Sequence, residues 1–90
     1  MSPRVTEVKH VSDYRLELTF ADGVRSVLDF KERIVGRGGV FNPLEDIDFF
    51  RRVQLDPESG TIFWPNEVDF CPDVLYSLAT GKPIEALQTR

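Results

Sequence analysis

The side chains that could carry chemistry are concentrated in residues 63–76, FWPNEVDFCPDVLY. This run holds the only cysteine, Cys71, with Asp69 two residues before it and Asp73 two residues after it. A thiolate is a nucleophile, and clustered carboxylates can exchange protons with a substrate or bind a metal ion. One hypothesis is therefore a small-ligand binder or an enzyme that uses Cys71 with Asp69 and Asp73.

The same three residues also have a structural interpretation, which we favour. The proline that follows Cys71 predicts the start of a helix, because proline fits the first helical position. Asp73 would then lie in the first turn, where the helix dipole favours a carboxylate, and Asp69 could accept hydrogen bonds from exposed backbone amides. Both negative charges also disfavour a thiolate at Cys71.

The sequence contains no complete catalytic or metal-binding set. His10 is the only histidine, and its spacing from Cys71 and from the acids matches neither a catalytic triad nor a zinc site. The glycines of GRGGV, residues 36–40, match neither the dinucleotide-binding nor the Walker pattern. We therefore predict no catalytic residue, no cofactor and no metal, and we expect the protein not to be an enzyme.

The aromatic residues of the run suit either the rim of the core or a surface for contact with another protein, and we favour the core slightly. Aromatic side chains bury a large area and are enriched in protein interfaces. If Trp64 faces the core, Phe63 lies on the opposite face of its strand, although the sequence leaves the burial of Trp64 open. The predicted partner surface consists of Phe63, Trp64, Asn66, Glu67 and Asp69.

Size and charge narrow the class of protein. Ninety residues, 41% of them hydrophobic, suffice for one core and are too few for two, so residues 1–90 are predicted to form a single domain. The formal net charge of -4 disfavours nucleic-acid binding. The alternative of a DNA-contacting autoregulator would need four basic residues on one face, namely Arg4, Lys9, Arg15 and Arg25.

Cysteine usage and hydropathy predict the location. One cysteine cannot form an internal disulfide, and the first residues, MSPRVTEVKHVSD, lack the apolar core of a signal peptide. A cytoplasmic location is therefore expected. No apolar run approaches the roughly 20 residues of a membrane-spanning helix, so no membrane association is expected.

Alternation of apolar and polar residues predicts a three-strand antiparallel meander at about residues 4–11, 14–20 and 24–30. Gly23 in the ADG turn supplies the positive φ that a tight hairpin needs. The first strand is irregular, which indicates an edge position or a β-bulge. An exposed sheet edge would also allow a homodimer.

The second half of the chain predicts two helices and a second hairpin. We expect a short helix over residues 43–50, a hairpin over residues 52–64 with PESG at its turn, and a helix from Pro72 to Thr80. The second helix should cover the sheet with Val74, Leu75 and Leu78. The fold class is therefore α+β, in which a meander and a second hairpin pack with one or two short helices on one face.

The chain resembles the domain-of-unknown-function 2442 family of small bacterial proteins. The resemblance rests on DYRLELTFADGVRSVLDF, GVFNPLEDIDFFRRVQLD and, most specifically, TIFWPNEVDFCPDVLY, whose signature is W-P-N-x-x-D-x-x-P-D-x-L-Y. It implies a small α+β domain without an established enzymatic activity, and no catalytic residues to carry over. Many members have W-P-N-G where this chain has W-P-N-E, so Glu67 stands where a positive-φ turn favours glycine.

Members of this family resemble the antitoxin-side partner of two-gene modules, each encoded beside another short protein. That resemblance and the missing catalytic set lead to our main hypothesis, a non-enzymatic interaction domain. It would contact another small protein, encoded by an adjacent gene, through the meander edge or through the WPNEVDF surface. The ligand-binding or enzymatic alternative and the DNA-contacting alternative stay open at this point.

Overall fold

The computed structural model describes residues 3–81. Its elements follow in the order β1 (Val5–Ser12), β2 (Arg15–Phe20), β3 (Arg25–Asp29), α1 (Lys31–Ile34), a 3₁₀ helix (Gly39–Glu45), α2 (Ile47–Phe50), β4 (Gln54–Asp56), β5 (Thr61–Phe63) and α3 (Pro72–Thr80). The predicted α+β class is confirmed.

Strands β1 to β3 form an antiparallel sheet in the order β1-β2-β3, as the alternation predicted. Leu16, Leu18 and Phe20 are buried on one face, while Arg15 is exposed on the other. Leu28 on β3 lies opposite Leu16 and is also buried. Directly opposed residues point to the same side of an antiparallel pair, so both strands contribute to one apolar face.

The irregular pattern of β1 arises from two register shifts. Val5 lies opposite Phe20 and Val8 lies opposite Leu18, so β1 advances three residues where β2 advances two. With strict alternation, Val5 and Val8 would point to opposite faces of the sheet. The extra residue in β1 brings both valines to the core side. A second shift between His10 and Ser12 leaves Val11 exposed at 50%. β1 is both an edge strand and a bulged one, and both expectations for it are confirmed.

The second hairpin, β4–β5, lies beside the start of β1. The Val5 amide donates a hydrogen bond of 2.8 Å to the carbonyl of Gly60, in the turn between β4 and β5. The Arg4 guanidinium donates to the carbonyls of Pro57 and Glu58 in the same turn, at 3.1 and 2.9 Å. The hairpin therefore occupies the start of the β1 edge, which is not available to a partner there.

The helix predicted over residues 43–50 is wrong in its bounds. A 3₁₀ helix over Gly39–Glu45 contains Pro43, and α2 begins only after Asp46. Asp46 has extended backbone angles and accepts a hydrogen bond from the Asp48 amide at 3.0 Å, so it is the N-cap rather than an interior residue. The four-residue helix α1 was not predicted.

The last helix, α3, runs from Pro72 to Thr80, as predicted, and Gly81 after it makes a left-handed C-cap with a φ of 75°. Leu75 is fully buried, but Leu78 is 36% exposed, so the expectation that Leu78 covers the sheet is wrong. Tyr76 and Ala79 pack against the core instead. The weak turn that the sequence of residues 84–90, IEALQTR, predicts lies outside the described residues.

The core lies between the inner face of the sheet, the second hairpin and the short helices. Its fully buried aromatic residues are Phe20, Phe30, Phe50 and Trp64. Within the described part of the chain, no helix has the length and apolar character to cross a membrane.

Candidate functional site

Trp64 lies at the centre of the aromatic core. Its side chain is fully buried, and its indole Nε1 donates a hydrogen bond of 2.7 Å to the carbonyl of Phe50. The Phe50 and Phe70 rings lie 5.5 and 5.8 Å from it, centroid to centroid. The inclusion of Trp64 in the predicted partner surface is therefore wrong, because an indole with its polar atom satisfied inside the core cannot contact a partner.

A tight turn follows Trp64 and reverses the chain. The Trp64 amide donates to the Val68 carbonyl at 2.9 Å, and the Glu67 amide donates to the Trp64 carbonyl at 2.8 Å. Glu67 closes the turn with a φ of 72°, the left-handed conformation that favours glycine. Asn66 donates from Nδ2 to the Val40 carbonyl at 2.9 Å and so ties the turn to the 3₁₀ helix.

Phe63 occupies a different environment from its neighbour Trp64. It is half-buried, and it does not belong to the core cluster or to the side chains packed against it. Its backbone pairs with Gln54 on one side and with Asp69 on the other. The alternation of a strand thus separates a core tryptophan from an outward phenylalanine.

The outward side of this segment forms an open groove of about 470 Å³. We call it the acidic groove; its lining residues are Leu55, Asp56, Pro57, Phe63, Glu67 and Asp69. Three predicted surface residues, Phe63, Glu67 and Asp69, therefore line one concavity. Asn66 instead bonds the 3₁₀ helix beside it.

The acidic groove carries three carboxylates, and Asp56 is the most strongly held. The backbone amide of Glu58 donates to Asp56 Oδ1 at 3.0 Å, and this hydrogen bond, with further ones from Ser59, holds the pKa of the Asp56 carboxyl below its ordinary value. Among residues 3–81, none of the three carboxylates has a basic group within ion-pair distance. Within residues 3–81, the groove therefore presents three carboxylates that form no ion pair beside an aromatic ring, while the guanidinium of Arg4 bonds the carbonyl of the lining residue Pro57 at 3.1 Å.

The sequence analysis did not identify three of the residues that line the groove, Leu55, Asp56 and Pro57. The hairpin register pairs Gln54 with Phe63 and Asp56 with Thr61, and residues two apart share a face. The four-residue loop of the predicted hairpin implies this register, so it could have placed Asp56 beside Phe63. Asp69 lies next to Phe63 because the turn after Trp64 reverses the chain, and no pattern in the sequence predicts this pairing.

The residues of the enzyme hypothesis lie in separate environments. Cys71 is exposed at the N-cap position of α3, and its side chain makes no capping hydrogen bond. His10 lies on the inner side of β1, bonded through Nε2 to the Asp13 carbonyl at 2.9 Å and edge-on to Phe50. Within residues 3–81, no three His, Cys, Asp or Glu side chains form a group that could hold a metal ion.

The basic residues of the DNA hypothesis are distributed among acids. Lys9 lies opposite Glu17 and Arg15 lies opposite Asp29, to which it forms an ion pair of 3.8 Å. Arg25 shares this outer face of the sheet, whereas the guanidinium of Arg4 bonds the β4–β5 turn. The outer face therefore carries both signs of charge and no continuous basic surface.

Comparison with protein families gives a match. The family described as "Protein of unknown function (DUF2442)" matches residues 5–81, which include every element from β1 to the cap of α3. No curated protein and no solved structure matches the chain.

Proposed function

The chain belongs to the family of proteins of unknown function DUF2442, and we propose that it is a non-enzymatic domain that binds another protein through the acidic groove. One observation carries the proposal: Phe63 lies outside the core, on a concavity of about 470 Å³ that three carboxylates also line. Interfaces are commonly organised around an aromatic anchor with a polar rim.

The arrangement of the WPNEVDF segment supports this surface. Trp64, the turn over residues 65–67 and the bond from Asn66 to Val40 hold the segment against the core. A surface supported by packed residues loses little conformational entropy when a partner binds. The acidic groove therefore has a rigid support on its inner side.

We extend the proposal to the partner and its context. The partner would be a second small protein encoded by an adjacent gene, with this chain in an antitoxin-like role in the cytoplasm. This part rests on the resemblance of family members to antitoxin-side proteins, and not on a feature of the groove.

A non-enzymatic role agrees with the positions of the reactive residues. Cys71 and His10 share no hydrogen bond in the described chain, and the His10 ring packs edge-on to the ring of Phe50. A nucleophile needs a base within hydrogen-bond reach. We therefore expect Cys71 to react with a thiol reagent at the rate of an ordinary exposed cysteine.

Co-expression with the product of the adjacent gene, followed by size-exclusion chromatography, tests the proposal. The wild type should elute with the partner as one species, and Phe63→Ser should separate from it. Val27→Ser is the matched control, because Val27 is an exposed strand residue on the outer face of the meander. Two separately eluting wild-type species at micromolar concentration would count against the proposal.

A further inference from the structure

The acidic groove also specifies the chemistry of its occupant. We propose that it takes an extended segment of the partner that presents an arginine or lysine next to an apolar side chain. This inference rests on the proposed function, since it assigns a chemistry to the same groove.

Part of the acidic groove is apolar. Phe63, Leu55 and Pro57 line it together, and the half-buried ring of Phe63 offers a face to a partner. The aliphatic stems of arginine and lysine cover apolar surface while their charged ends stay in water, and a guanidinium also stacks on aromatic rings. A basic side chain therefore matches both parts of this surface.

Acidic side chains surround the apolar part of the groove. Asp56, Glu67 and Asp69 lie around one concavity without a basic neighbour in ion-pair distance among the described residues. Glu67 and Asp69 are exposed, so any single contact with a cation would be weak in water. Three like charges in one groove nevertheless produce a common negative potential that attracts and orients a basic segment.

The outer face of the meander provides the contrast. It carries three basic residues, Lys9, Arg15 and Arg25, among three acids, Glu7, Glu17 and Asp29. The two signs alternate between neighbouring strands, so the potential above this face largely cancels. A basic segment is therefore drawn to the acidic groove rather than to the sheet.

A second copy of this chain is the competing occupant. Arg33 and Arg37 line a smaller groove of about 300 Å³ with Phe41 and Phe70, and its charge is opposite to that of the acidic groove. Both surfaces are concave, however, and two concavities cannot fill one another. An extended segment fits a groove better than a second concave surface does.

The test is a titration of the ¹⁵N-labelled full chain with two pentapeptides, followed by amide chemical shifts. One peptide alternates Arg with Leu, and the other alternates Glu with Leu. The Arg-Leu peptide should shift amides at Leu55, Phe63 and Asp69, and the Glu-Leu peptide should not. The double variant Glu67→Gln/Asp69→Asn should bind the Arg-Leu peptide at least about fivefold more weakly than the wild type, because two attractive charges are lost.

The matched control is Glu7→Gln/Glu17→Gln, which changes the net charge equally but on the outer face of the meander. This variant should bind the Arg-Leu peptide less than about twofold more weakly than the wild type, since it leaves the groove charges in place. Equal weakening by both double variants would overturn the inference, because binding would then follow net charge alone. No shift at the groove with millimolar peptide, or equal shifts with both peptides, would also overturn it.

Light scattering during size-exclusion chromatography addresses the second copy. Concentration-dependent dimers that both Glu67→Gln/Asp69→Asn and Arg33→Gln/Arg37→Gln abolish would overturn the inference in favour of self-association. If the adjacent gene product still co-elutes with Glu67→Gln/Asp69→Asn at wild-type affinity, the proposed function survives and the basic chemistry does not. If that product never co-elutes while the Arg-Leu peptide binds selectively, the groove chemistry stands and the proposed partner is wrong.

Discussion

The phenol of Tyr76 donates a hydrogen bond to the carboxylate of Asp22, which lies 54 residues earlier in the chain. The same carboxylate accepts the Val24 amide at 3.0 Å and so holds the turn between β2 and β3. The ring of Tyr76 packs edge-on to Phe20, with 5.0 Å between centroids. One residue of α3 thus connects the helix to both the turn and the core of the sheet.

We expect this contact to make stability depend on alkaline pH. The hydrogen bond to Asp22, followed by burial and by the charge of Asp22, raises the pKa of the Tyr76 phenol above its ordinary value of 10.0. Because this pKa is raised in the folded state, the contact contributes fully to the free energy of unfolding below about pH 10. Its contribution is lost as pH rises through the raised pKa. Urea unfolding between pH 8 and 11 should show a steeper loss for the wild type than for Tyr76→Phe.

Replacement of Asp22 is the control for this contact. Asp22→Asn removes the charge of Asp22 but leaves an amide oxygen that can accept the phenol, so its loss of stability with rising pH should lie between those of the wild type and Tyr76→Phe. Parallel profiles for the wild type and both variants would show that the contact does not affect alkaline stability.

Trp64→Phe should destabilise the protein by about 2–4 kcal/mol in urea unfolding at neutral pH. The variant removes buried volume and also the indole donor at 2.7 Å from the Phe50 carbonyl, which keeps only the longer hydrogen bond of 3.3 Å from the Val53 amide. Tyr14→Phe is a matched control, because it removes a hydroxyl that donates to the Glu45 carbonyl at a half-buried position. It should cost only about 0.5–1.5 kcal/mol; equal losses would contradict the central position of Trp64.

The meander and α3 could be predicted because local patterns determine them. The alternation from Arg15 to Phe20, with Gly23 at the turn, defines the strands, and Pro72 and Gly81 define the ends of α3. Each of these features requires only neighbouring residues. The core side of the sheet follows from the same alternation.

The short helices and the groove depend on contacts between distant residues. Helix α1 has four residues, too few for intrinsic propensity to decide, and its Ile34 is fully buried. The proline at 43 predicted a helix start, but the chain forms a 3₁₀ helix before Asp46. Likewise, only the packing of Phe50 against Trp64 shows which of Phe63 and Trp64 faces outward.

Glu67→Gly should stabilise the protein by about 0.5–1 kcal/mol, because glycine adopts a φ of 72° without the cost that a Cβ brings. Glu67→Ala removes the same carboxylate but keeps the Cβ, so it should show no such gain. Thermal unfolding of the three proteins measures the difference. Both variants should weaken the Arg-Leu peptide alike, which separates the role of the charge from that of the backbone.

Gly60→Ala should cost more than about 2 kcal/mol, since a Cβ there would lie 2.4 Å from Cβ of Arg4 in addition to having a φ of 70°. Gly36→Ala is the control for backbone conformation alone. Gly36 has a φ of 80° and no atom within 4 Å of a Cβ, so it should cost about 1–2 kcal/mol. Similar losses in urea unfolding would mean that the β4–β5 turn does not pack closely on Arg4.

Asp56 should make the acid side of the stability profile steeper. Its pKa lies below the ordinary 3.8 because the amide of Glu58 and then the groups of Ser59 bond the ionised carboxylate. Because this pKa is lowered in the folded state, the ionised Asp56 carboxylate contributes fully to the free energy of unfolding above about pH 4. Its contribution is lost as pH falls through the lowered pKa. In Asp56→Asn the amide oxygen can still accept the Glu58 amide, but this bond no longer changes with pH. The difference in unfolding free energy between the wild type and Asp56→Asn should therefore shrink from pH 5 to pH 2. Glu7→Gln removes an equal charge from the outer face of the meander, and a difference that shrinks as much for this variant would assign the effect to net charge instead.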